Sequence, residues 1–185
     1  MSSKNYFDST DNVFIKLYKK NETRFLYWET WNTDKSNATY HWGDLGSTGE
    51  QYSISEPSFA QLKEKVNFLI ASKIKDGYAE IPLKKQFTVS VNFKLTSWGT
   101  PKDLERREEL RNILTEHLGW TGNGRCDDGD IGSGEMTLFA DVIDPYLAIQ
   151  TIQKEFKVKD VKEKYYFSIY QGKKMIAEEI WPNKL

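Results

Sequence analysis

Apolar and polar positions alternate along the first fifty residues. VFIKLY at 13–18 and RFLYWETW at 24–31 are aromatic and β-branched runs separated by the polar stretch 19–22, and runs of this kind bounded by turn residues predict a hairpin. Asp34, Lys35, Ser36 and Asn37 supply the next turn, after which ATYHW at 38–42 and EQYSI at 50–54 predict a third and a fourth strand. The period then changes. Phe59, Leu62, Val66, Leu69, Ile70 and Ile74 recur three and four positions apart, which places them on one face of a helix. Ser55 or Glu56 with Pro57 marks its start, and Gly77 stands just past its end.

The segment IPLKKQ at 81–86 breaks both patterns and predicts a boundary between domains 1–85 and 86–185. Phe87, Val89, Val91, Phe93 and Leu95 next alternate with Thr88, Ser90, Asn92, Lys94 and Thr96, the pattern of a strand with one buried face. Thr100-Pro101-Lys102-Asp103 opens a helix with a capping residue, an initial proline and an acid in the first turn. Leu104, Leu110, Ile113, Leu114 and Leu118 form its inner stripe. Residues 119–134 read as a glycine-rich, acidic connection with a short strand around Trp120, followed by a strand over 135–143. Asp144-Pro145 caps a last helix with Ala148, Ile149, Ile152 and Phe156 facing inward. Two strands flank Gln171-Gly172-Lys173. The expected class is α+β: an antiparallel sheet with one helix, then the order β-α-β-β-α-β of a ferredoxin-like α/β sandwich, which the final hairpin extends.

Composition narrows the setting. A chain of 185 residues can form two small domains, and its formal net charge of −1 gives no global field to draw in nucleic acid or an anionic membrane. Binding of that kind must be local. With a single cysteine, Cys126, no intrachain disulfide can form. The first residues lack the apolar core of a signal peptide, and no later run approaches the ~18 apolar residues of a membrane span. The expectation is a soluble cytoplasmic protein with no membrane partner.

TYHWGDLGSTGE, residues 39–50, carries a Trp-Gly pair at a strand end, two further glycines, and then the amphipathic helix. Trp42, Gly43, Leu45, Gly46, Gly49, Lys73 and the Gly77-Tyr78 pair resemble the WGR domain in order and spacing, over roughly residues 10–82. The resemblance implies a noncatalytic module that contacts nucleic acid or DNA ends. In WGR domains of poly(ADP-ribose) polymerases the tryptophan packs against sugar at a DNA break and the motif's arginine joins polar contacts there. Asp44 stands in that arginine's place, and its carboxylate repels a phosphate instead of pairing with it. The binding residues carried over are Trp42, Gly43, Asp44, Gly46 and Lys73. Read without the resemblance, the same residues are a half-buried tryptophan with turn glycines. Lys63, Lys65, Lys73 and Lys75, with Lys16, Lys19 and Lys20, form either a local basic patch or a solvated surface.

Asp127, Asp128, Asp130 and Glu135 form an acidic loop. EF-hand spacing fails, because counting from Asp128 puts Ser133 where the loop glycine belongs and Phe139 where the bidentate glutamate belongs. A glycine-rich turn with a solvated acidic tip fits better, and the alternative function it offers is a protein-interaction or immunity-type inhibitor that meets a basic partner. GDIGSGEMTLF is similar to stretches of small bacterial ferredoxin-like proteins, a likeness that implies no activity. Ser133 lacks the first glycine of a nucleophile elbow, and His41 and His117 have no ligand-spaced neighbours. No catalytic set, metal or cofactor is expected.

Overall fold

The computed structural model describes residues 4–182. The chain is α+β and divides into two compact units, Met1–Ile81 and Pro82–Leu185.

The first unit contains strands β1 (Phe14–Lys20), β2 (Phe25–Asn32), β3 (Asn37–Asp44) and β4 (Glu50–Ser55), followed by helix α1 (Phe59–Lys75). The strands pair antiparallel in chain order, because each short turn returns the chain beside the strand it has just left. Leu17, Trp28, Ala38 and Ile54 point from the sheet toward Leu62, Val66 and Ile70 of α1, and these residues form the buried core with Phe7 and Val13. The N-cap of α1 is Ser58, not Ser55 or Glu56. Ser58 Oγ accepts a hydrogen bond from the Gln61 amide, whereas Ser55 is still paired in β4. The C-terminus follows a Schellman pattern. Gly77 adopts φ +91°, its amide bonds to the Ile74 carbonyl, and the Tyr78 amide bonds to the Lys73 carbonyl.

The second unit runs β5 (Phe87–Lys94), α2 (Pro101–Trp120), β6 (Gly124–Gly132), β7 (Glu135–Val142), α3 (Pro145–Val158), β8 (Tyr165–Gln171) and β9 (Lys174–Ile180). Its sheet has the order β6-β7-β5-β8-β9 with every neighbouring pair antiparallel. Val89, Val91 and Phe93 of β5 face Leu110, Leu114 and Leu118 of α2 and Ile149, Ile152 and Phe156 of α3 in one buried cluster. The helix starts follow the sequence signals. Thr100 and Asp103 form a reciprocal capping box, and the Asp144 carboxylate accepts from the Tyr146 and Leu147 amides.

Three expectations for this half are corrected. Trp120 belongs to no strand; it ends α2, because Gly122 at φ +68° closes a second Schellman motif through the Asn123 amide and the Leu118 carbonyl. Leu104 is exposed and Ile113 only half-buried, so the inner stripe of α2 is confined to Leu110, Leu114 and Leu118. Residues 124–132 are strand and not connection. Cys126 points into the core, a bulge at Asp127 interrupts the alternation, and Asp128 and Asp130 take outward positions. The insertion of one residue hides the two-residue period.

Shortening Ile70 or Leu114 to alanine should cost about 2–5 kcal/mol in urea unfolding, since both are closed off from solvent in their respective cores. Leu104→Ala, on the same helix as Leu114, should change stability by less than about 1 kcal/mol.

Candidate functional site

Glu29 is the one acid in the run FLYWETW of β2, and it is only 5% exposed. Its cross-strand neighbours are Lys16 on β1 and His41 on β3. Lys16 Nζ lies 2.9 Å from Oε2 and His41 Nδ1 lies 2.8 Å from Oε1, so both carboxylate oxygens are occupied. The far side of the imidazole continues the network. His41 Nε2 is 2.7 Å from the Thr48 carbonyl oxygen and 2.9 Å from the Tyr27 hydroxyl, which in turn reaches the Ser47 carbonyl at 3.2 Å. Burial, and after it the charge of Glu29, raises the Tyr27 phenol well above the ordinary tyrosine range, so it remains a hydroxyl.

This network adjoins a cleft of about 400 Å³ where β2 begins and β3 ends. Tyr27, Trp42, Gly43, Asp44, Glu50 and Tyr78 contribute to its walls. The Trp42 side chain is half-buried, packs against the core with its ring 5.7 Å from the Tyr40 ring, and the residue also lines the cleft. A Cβ at position 43 would stand 2.8 Å from the Gly49 Cα. At Gly49, which has φ +58°, a Cβ would stand 2.2 Å from the Trp42 carbonyl oxygen and 2.3 Å from the Tyr27 hydroxyl. Gly46, at φ +88°, turns the same loop. The glycines therefore close the loop onto Tyr27.

Asp44 does not face the cleft as an isolated charge. Arg24 reaches across from the start of the neighbouring strand, with Nη1 2.6 Å from Asp44 Oδ2, and both side chains keep substantial exposure. Lys73 lies with Nζ 5.4 Å from the Tyr78 ring centroid, and Lys19 lies at 5.8 Å. Tyr78 is held there by the helix end and by paired backbone bonds between Tyr18 and Ala79. Trp42, Gly43, Asp44 and Lys73 are thus brought into one region. Arg24, Tyr78, Lys19 and Glu50 join them. Arg24 had no marker in the sequence, because only the register of β2 against β3 puts it beside Asp44. The remaining basic residues scatter: Lys16 is committed to Glu29, and Lys63 lies 2.7 Å from Asp11.

The acidic residues of the second unit do not form a loop. Asp127, Asp128 and Asp130 are exposed along β6, where Asp127 pairs with Arg125, while Glu135 is the first residue of β7. Lys94 Nζ at 2.5 Å and the Tyr166 hydroxyl at 2.9 Å hold the Glu135 carboxyl below the usual glutamate range. Among the described residues, no three histidine, cysteine, aspartate or glutamate side chains converge as metal ligands. Cys126 is fully buried, and burial, reinforced by Asp127, pushes its thiol up to about 12. No helix among the described residues is long and apolar enough to cross a membrane.

Comparison of the chain with protein-family models, curated proteins and solved structures finds no match.

Gly49→Ala should destabilise the first unit by about 1–3 kcal/mol, through its positive φ and the blocked Cβ position, as read by thermal or urea unfolding. Replacing Asp127, Asp128 and Asp130 together by asparagine should leave the melting temperature within a few degrees, with or without calcium, because each exposed change is worth about 0.5 kcal/mol or less. Cys126 should resist alkylation from pH 7 to 9, since the thiolate forms only near pH 12, and should react fully once urea unfolds the second unit.

Proposed function

We propose that this protein is a noncatalytic binding protein whose first unit contacts nucleic acid, DNA ends included, through the Trp42 cleft. The carrying observation is a cleft lined by the half-buried Trp42 and Tyr78, with Lys19 and Lys73 against the Tyr78 ring and Asp44 paired to Arg24, although Glu50 lines it as well. Aromatic faces stack on bases or sugars, and each stacked base is worth about 1–3 kcal/mol. Arg24 meets the electrostatic objection to Asp44: the pair is neutral, and the guanidinium retains exposed N–H groups for a phosphate. A net charge of −1 leaves these local cations to provide the attraction.

The fold reading that accompanies this proposal is a WGR-like first unit and a ferredoxin-like second unit. Support for the first is the four-stranded antiparallel sheet with α1 after it and the Gly77-Tyr78 helix end beside Trp42. For the second, support is the order β-α-β-β-α-β with the third strand between the first two, and β9 added outside the fourth. A second functional reading, a protein-interaction or immunity-type inhibitor with a basic partner, draws on the carboxylates exposed along β6.

Fluorescence anisotropy with nicked, blunt and single-stranded DNA and with RNA tests the first reading. Binding at low salt should fall as salt rises, with a log–log slope of about −2 to −3 if Arg24, Lys19 and Lys73 each meet a phosphate. Trp42→Ala should weaken it by about 1–3 kcal/mol, and Arg24→Glu should weaken it further by placing two acids side by side. Asp44→Arg should tighten it by about 1 kcal/mol. No binding to any of these ligands at low salt removes the reading. If a basic protein partner is found instead, slower association by the triple asparagine variant of β6 marks the second one.

A further inference from the structure

We propose that His41 is a positioning residue for the cleft, protonated on both ring nitrogens and using the outer one to hold the 44–49 loop in place. Its consequence for binding rests on the nucleic-acid reading above; its geometry does not. Nδ1 faces a carboxylate oxygen of Glu29 at 2.8 Å and Nε2 faces the Thr48 carbonyl oxygen at 2.7 Å. A carbonyl oxygen can only accept, and so can an ionised carboxylate. Lys16, 2.9 Å from the other oxygen of Glu29, favours that ionised form. Neutral imidazole carries a single N–H. With that proton on Nδ1 toward Glu29, the Nε2 lone pair would face the Thr48 oxygen at 2.7 Å and could be satisfied only by the Tyr27 hydroxyl, which would then leave the Ser47 carbonyl. Two N–H groups satisfy both.

The Glu29 carboxylate favours this state, while burial of the ring and the Lys16 ammonium on the same carboxylate oppose it. Glu29 and Lys16 lie in its cross-strand row on β2 and β1, Gln51 pairs opposite it on β4, and Tyr18 lies on β1 with its phenol raised by burial and then by the charge of Glu29. The Tyr27 hydroxyl is 2.9 Å from Nε2 and donates to the Ser47 carbonyl, so two consecutive loop carbonyls are held from beneath. Asp44, Ser47, Gly49 and Glu50, in and beside that loop, line the cleft together with Tyr27. His41 reaches no ligand itself. It acts through the loop, whose carbonyls it and Tyr27 hold.

Nitrogen-15 spectra of the imidazole in the full chain at neutral pH decide the protonation state. Two protonated nitrogens for His41 are expected, and the signature of either neutral tautomer overturns the proposal. Hydrogen exchange at the Leu45 and Ser47 amides, which bond to the Phe25 and Asp44 carbonyls, reads the loop. His41→Asn keeps an amide within reach of Glu29 but not of Thr48, and should speed exchange there by about tenfold. His41→Gln can reach Thr48 and should restore most of the protection. Equal exchange in both variants, with Val66 and Ile70 amides protected as in the original chain, overturns the latch. If one variant fails to fold, the ring spectrum still decides. Failure of the original chain to bind DNA or RNA removes the cleft reading and leaves the ring spectrum unaffected.

Discussion

A buried carboxylate sets the terms for the first unit. Glu29 sits in a row across three strands, and withdrawing its charge from water is tolerable only with compensating partners at both oxygens. Lys16 and His41 provide them in direct cross-strand register. A slip by one residue would turn Glu29 toward α1 and leave Lys16 and His41 without it, so the row holds β1, β2 and β3 in a single alignment. That alignment also sets Leu26 opposite Asp44 and Tyr27 opposite Gly43. The cleft is a product of the same register.

Helix ends deliver the rest of the cleft. Gly77 reverses the chain after α1 at a positive φ, and the following Tyr78 is fixed by the Lys73 carbonyl and by the bridge from Tyr18 to Ala79. Lys73 in the last turn of α1 and Lys19 on β1 both approach the Tyr78 ring. A chain that is nearly neutral thereby places two lysines against the Tyr78 ring and pairs Arg24 with Asp44, while Glu50 also lines the cleft. The attraction is local and would be screened within about 10 Å at ordinary salt.

The second unit shows how a strand can carry acids at a sheet edge. Among the described residues β6 pairs with β7 alone, and such an edge exposes backbone groups to any passing strand. The bulge at Asp127, the three exposed carboxylates and a hydrogen bond from Arg107 Nη1 to the Gly129 carbonyl all oppose further pairing. Charge on this strand has a structural use whatever partner it meets. In the turn before β6, Asn123 is fully buried and ties the end of α2 to the start of α3 through the Ile143 and Asp144 amides and the Asp144 carbonyl. An asparagine among glycines has no sequence signature for that role.

Local chemistry was legible where it acts over a few residues. The alternation in β5, the helical spacing in α1, the caps at Thr100 and Asp144 and the stop at Gly77 follow from periodicity and backbone preference alone. Trp42, Gly43 and Lys73 could be singled out only through the resemblance to the WGR motif. Contacts set by register could not. Arg24 beside Asp44, Glu29 between Lys16 and His41, and the loop resting on Tyr27 join residues far apart in the chain, and only folding brings them within hydrogen-bond distance. For the same reason the acidic segment read as a loop: its glycines and aspartates disfavour a strand locally, while pairing with β7 and burial of Cys126 outweigh that preference in the folded sheet.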